Sequence, residues 1–278
     1  MYRKIIFLML LVAFLWPTQE LYLFAQNERP TASQFEDPGT LIWLGTYGII
    51  RLGDKLFWDA QTHYRRGDYN GVPWVGRMTQ IYNRHGLSYQ FSNNFRATIG
   101  PVLRLNFTPD PSGIMEDVDH ERITLEPRIW HEYLFKMEFG NSQIFHRLRM
   151  EHRWNRSNVV GADYIYRDRW RYKIFANIPL NKPRFEPGTI FFTPDVEIIM
   201  QSGSPVIDSP LEDLRIQPIF GYIANLKTKY TVSMMYTTGQ RIFDGAVYRQ
   251  RWIFRLNLYF NLDLRDGQNN IPMMQMMD

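Results

Sequence analysis

The sequence predicts an all-β protein: a single antiparallel up-and-down transmembrane β-barrel of 10–12 strands, twelve favoured, around a polar, charged lumen. Three observations carry that expectation. Apolar and charged residues alternate with period two over long segments. Turn residues punctuate those segments, with short connections alternating with long ones. Finally, aromatic residues make up 15% of the 278 residues, while the mean hydropathy is −0.35. The apolar residues are therefore dispersed among polar ones. Beyond the N-terminus no run approaches the roughly 20 residues that a membrane-spanning helix needs.

The first 25 residues read as a cleavable signal peptide. Arg3 and Lys4 precede an apolar stretch from Ile5 to Trp16, and Phe24, Ala25 and Gln26 offer a cleavage point after Ala25. Pro17 and Glu20 interrupt the run before it could serve as an uncleaved anchor. Residues 26–39 are polar and read as irregular, 40–264 as the barrel, and 265–278 as a disordered, Met-rich tail.

Candidate strands run over 40–51, 54–66, 76–91, 95–108, 121–139, 142–156, 162–178, 188–202, 211–225, 228–239 and 245–264. Short turns fall at Gly53-Asp54, Ser92-Asn93-Asn94, Gly140-Asn141 and Asn225-Leu226-Lys227. Longer links fall at 67–75, 109–120, 157–161, 203–210 and 240–244. Short turns on one rim and long loops on the other are the signature of an outer-membrane barrel. The link at 179–187 is too long for its side. These segments number eleven, whereas bacterial barrels have even counts, and parity is what favours twelve.

Successive side chains of a strand point to opposite faces. In 121–139 one face carries Glu126, Arg128, Glu132, Lys136 and Glu138, opposed by Leu125, Ile129, Tyr133, Phe135 and Met137. The rows Arg147, Arg149, Glu151, Arg153, then Arg167, Arg169, Arg171, then Arg249, Arg251, Arg255 repeat the pattern in the later strands. A water-exposed face has no need of such ordered rows, whereas a closed lumen allows guanidinium groups to pair with carboxylates across strands. The expected ladder pairs these arginines with Glu126, Glu132, Glu138, Glu151 and Asp263. Tyr64, Trp74, Tyr164, Tyr166 and Trp252 lie near strand ends, where aromatic girdles form. Asp168, His131, His146 and His152 break the apolar face, and 76–91 has no clean apolar face.

The motifs LIWLGTYGIIRLGDKLFWDAQTHYRRGD, EPRIWHEY, HRLRMEHRW, YRDRWRYKI and YRQRWIFRLNLYFNLDL, in this order and spacing, resemble the bacterial family of domain of unknown function 2490. The resemblance covers nearly all of the mature chain. It implies an outer-membrane barrel and brings no catalytic residues. One departure is a tail beyond Phe260, which leaves the aromatic end of the last strand internal.

Other chemistries are poorly served. The chain has no cysteine, which removes disulfides, thiolate metal sites and catalytic thiols. A formal charge of +4 and a pI near 9.2 come from bases interleaved with acids, so no nucleic-acid face forms. His85 with Ser88, or His131 or His152, would be the residues of a lipid-modifying enzyme, but no nucleophile-elbow motif accompanies them. His146 and His152 are six residues apart, roughly 20 Å along a strand, and cannot share an ion. The loop Glu116, Asp117, Asp119, His120 lacks the spacing of a calcium loop. The sequence therefore implies no enzyme, metal or cofactor. It implies a monomeric barrel in contact with outer-membrane lipid, of unassigned role, with a salt-bridged lumen. The alternatives are a narrow pore preferring small anionic solutes and a lipid-modifying enzyme. The loops at 67–75, 109–120 and 203–210 would be the contact surface of a partner.

Overall fold

In a computed structural model the chain is described over residues 34–109, 119–203, 206, 210–241 and 244–265. The expected signal peptide, the segment 266–278 and most of the loops at 109–120 and 203–210 lie outside the described residues. No helix occurs among those described; every regular element is a strand. A two-residue strand β1 (Gln34–Phe35) precedes eleven long ones: β2 (Gly39–Arg51), β3 (Leu56–Tyr69), β4 (Val72–Ser92), β5 (Phe95–Phe107), β6 (Ile123–Phe139), β7 (Ser142–Asn155), β8 (Ile165–Pro179), β9 (Ile190–Ser202), β10 (Leu211–Ile223), β11 (Thr228–Arg241) and β12 (Asp244–Asp263). β1 thus lies within the segment expected to be irregular.

Each strand from β2 to β12 pairs antiparallel with the next, and β12 then pairs with β2, closing the barrel. That last ladder is parallel, from Arg251 opposite Gly39 to Asp263 opposite Arg51. Parity dictates this. In an up-and-down meander with an odd number of strands, the first and last run in the same direction. The barrel therefore has eleven strands, and the expectation of twelve is corrected. β1 does not add a strand, because it continues the edge of β2 along the same β12.

Two expected loops are strand instead. Residues 67–75 hold the ends of β3 and β4, joined by Asn70 and Gly71, both at positive φ (48° and 77°). Positive φ at both central residues is a type I′ turn, whose twist matches that of the flanking strands. Pro73 and the polar residues imitate a loop, but the ladder continues past them with irregular register at Arg65/Arg66 and Gly67/Tyr69. At 240–244 the strands likewise run to Arg241 and from Asp244.

The link 180–189, too long for its rim, is pinned in place. Gly188 N–H donates to Ile223 O at 2.7 Å, and Ile223 N–H to Thr189 O at 3.0 Å. Thr189 Oγ1 donates to Arg184 O at 2.9 Å. The fixed link packs Phe185 against Leu134, Phe145, Phe175, Phe191, Ile219 and Ile223. All six turn into the barrel near this lower rim, so an apolar plug fills its bottom. Gly221 makes room for the plug: a Cβ there would overlap the Phe191 ring. The outer surface is the reverse. Leu44, Leu87, Ile99, Ile129, Val196, Ile216, Val232 and Leu256 are all exposed on it.

Candidate functional site: the charged lumen

Above the plug, alternation delivers a second kind of interior. In β6 the even residues Thr124, Glu126, Arg128, Trp130, Glu132, Leu134 and Lys136 are buried, and in β7 the odd residues Phe145, Arg147, Arg149, Glu151 and Arg153. β8 contributes Arg167, Arg169, Arg171 and Lys173, and β12 contributes Arg255. Arg249 and Arg251 are only half-buried, near the upper rim where the long links lie. All thirteen sequence-derived charges thus lie on inward rows, but not all enter one network.

Glu151 is the hub. Its side chain is 0% exposed, and four guanidinium groups converge on it: Arg128 at 2.6 Å, Arg171 at 3.0 Å, Arg84 at 3.1 Å and Arg169 at 3.4 Å. Glu126 binds Arg128 (2.7 Å), Arg153 (2.8 Å) and Arg104 (2.9 Å). Glu132 holds Arg149 at 2.6 Å. Glu197 takes Arg147 (2.8 Å), Arg171 (2.9 Å) and Arg215 (3.4 Å). Glu212 pairs with Arg169 and Arg153, and Asp195 with Lys173. Most of these pairs join neighbouring strands, and four reach past a neighbour: Arg84 to Glu151, Arg147 to Glu197, and Arg153 and Arg169 to Glu212. An ion of this size loses several kcal/mol on leaving water, and only full pairing and hydrogen bonding offset that. Geometry of this quality is therefore a requirement of burial.

Some members are missing from the sequence-derived rows although the alternation shows them, and one has no signal in it. In β9 Thr193, Asp195, Glu197 and Gln201 alternate with the outward Phe192, Pro194, Val196, Ile198 and Met200, so Asp195 and Glu197 are legible as an inward row. Glu212 should face outward by parity, but the register shifts between Leu211 and Asp213, and the resulting bulge turns it inward. Trp130 and Trp43 are apolar residues in inward rows. They are cation platforms: Arg84 and Arg149 lie 5.3 and 5.0 Å from the Trp130 ring. Conversely, two expected acids leave the ladder. Glu138 is 66% exposed beside Lys136, and Asp263 pairs with Arg265 at the lower rim. At the upper rim Arg156 donates to Glu121 at 2.5 Å, and that bond, with one to Tyr164, raises the pKa of its guanidinium.

The histidines lie apart. His85 and Ser88 are three residues apart in one strand and so face opposite sides. His85 accepts from Trp58 Nε1 at 3.2 Å outside, while Ser88 donates to Asp59 at 2.8 Å inside. The pairing imagined for them does not exist. On the outer face His152 Nδ1 lies 2.7 Å from Asp168, Tyr166 donates to the same carboxylate at 2.6 Å, and His131 stacks on His152 at 5.5 Å. Among the described residues no Ser or Thr hydroxyl bonds either histidine, and no group of three His or carboxylate side chains could hold a metal.

This inside-out polarity and the closed sheet coincide with a family assignment. The model for a protein of unknown function (DUF2490) matches residues 40–248, from the start of β2 into β12. The chain belongs to the DUF2490 family. No curated protein matches it. The matched span includes the hub Glu151 and every carboxylate of the lattice, so the charged lumen is part of what the DUF2490 model covers. The first five residues of β12 fall inside the match, and the remainder, with Arg249, Arg251 and Arg255, lies beyond it.

Proposed function

We propose that this DUF2490 barrel is an integral protein of a Gram-negative outer membrane, exported by the N-terminal signal. In this reading its lumen is a packed ion-pair scaffold rather than a channel. The observation that carries the reading is the reversed polarity. Leucine, isoleucine and valine side chains are exposed on the outside, while Glu151, Arg149 and Arg128 are almost fully buried inside. In water that arrangement is unfavourable; in lipid it is required. Two aromatic bands support it: Trp58, Tyr89 and Phe91 near the lower rim, and Tyr64, Tyr166 and Trp252 near the upper. The filled interior argues for a scaffold. The plug occupies the lower rim, and the central cavity is only about 40 Å³. We assign no enzymatic activity and treat the barrel as a monomer, with lipid as its constant partner.

The test is purification followed by planar-bilayer recording. The protein should require detergent, migrate faster on electrophoresis when unheated, and pass no steady current. A steady anion-selective current that falls with Arg169→Glu would replace the scaffold by the pore. Recovery from a soluble periplasmic fraction would remove the membrane reading altogether.

A further inference from the structure

Cations outnumber acids in the buried interior. Among the described residues fourteen Lys and Arg side chains are buried, against seven Asp and Glu. Acids at the edge of the interior meet some of the cations, as Glu138 meets Lys136 and Asp213 meets the half-buried Arg215, and a bound anion would offset what is left. The central cavity is where compensation is best placed. Arg65, Arg84, Arg128, Arg169, Arg171, Lys173, Arg215 and Arg255 line it, with only Asp195 and Glu197 as acids. Glu197 is already shared by three arginines, and Asp195 is taken by Lys173.

Arg65 lines this cavity and takes no part in an ion pair among the described residues. Its guanidinium sits between the Trp43 and Tyr82 rings, 3.7 and 4.2 Å from their centroids. Its polar bond is Nη1 to Gln80 Oε1 at 3.1 Å, and Nε has no partner. No carboxylate of the described residues reaches it. The two rings hold the plane of the fork fixed, which pre-organises it for a planar, two-point acceptor. A cavity of about 40 Å³ admits about three waters. One small tetrahedral anion is comparable in size.

We propose that this cavity is a binding site for one small inorganic oxyanion of the phosphate or sulfate class, held by Arg65 with Arg215 and Arg255. The anion is the missing counter-charge of the lumen. The site goes beyond the scaffold reading, and either can fail alone, because detergent dependence and conductance do not report on it.

Equilibrium dialysis of the full-length protein in detergent and Tris chloride, with radiolabelled inorganic phosphate, tests it. We expect one phosphate per chain and a saturable rise in melting temperature at constant ionic strength. Arg65→Gln, which removes the charge but can still donate to Gln80, should weaken binding at least tenfold. Lys182→Gln on the exposed lower link should leave it unchanged. Less than a tenth of a phosphate per wild-type chain would overturn the site, whether or not Arg65→Gln folds. So would unweakened binding by a folded Arg65→Gln. A micellar lipid phosphomonoester, too large to enter, should not compete; competition would mean a rim site and would overturn the enclosed one.

Discussion

The two halves of the lumen solve one packing problem by opposite chemistry. Around the lower rim Phe145, Phe175, Phe191, Leu134, Ile219 and Ile223 fill space by shape. Their rings stack, Phe145 on Phe175 at 4.8 Å with planes 6° apart. Above them the same strands carry Glu151, Glu126 and Glu197 with their arginines. The apolar half is held by contacts that are weak singly and interchangeable. The ionic half is held by bonds whose partners must all be present, because a charge left alone inside is costly. The comparison teaches that a barrel interior can be stiff at one end through directionality and sealed at the other through volume.

The comparison can be broken most forcefully at the hub. Glu151→Ala leaves four guanidinium groups facing one another, and we expect a loss of about 3–5 kcal/mol in denaturant unfolding from lipid vesicles. A loss below about 1 kcal/mol would mean that the ionic half is as interchangeable as the apolar one. Phe175→Ala should cost about 3 kcal/mol, the lower end for a buried aromatic, because the neighbouring rings can partly close the void. It should also leave the salt dependence of unfolding unchanged. The smallest effect belongs to Glu138→Gln. That exposed carboxylate beside Lys136 should contribute within about 0.5 kcal/mol, and that little should vanish in high salt. A larger change would return Glu138 to the ladder from which its exposure removes it.

The sequence discloses the ionic half better than the apolar one, and the reason lies in the labels. Alternation assigns residues to two faces, and polarity then decides which face is inside. In β7 every second residue from Arg147 to Arg153 is charged, so the face names itself. Where inward positions are apolar, as at Phe145, Phe191 and Trp130, alternation still places them with their charged neighbours, but their polarity does not mark the face they occupy. Glu212 is hidden for another reason: a single extra residue reverses parity, and nothing in the chain announces it. Strand limits are legible within a few residues, because turn residues such as Gly140-Asn141 mark the lower rim. The β3–β4 hairpin is not, because Pro73 and Gly76 mimic a loop inside a ladder that continues around them. The closing seam is invisible locally, since Gly39–Arg51 reads alike whether its neighbour runs with it or against it.

The odd parity that forces the seam to run parallel also divides the two extremities of the polypeptide. The backbone enters β2 at one mouth and leaves β12 at the other. Embedded in a bilayer, an epitope placed just ahead of Gly39 and one placed just after Asp263 would therefore occupy different compartments, and a protease added to one side of sealed vesicles holding the barrel in one orientation would trim one and spare the other.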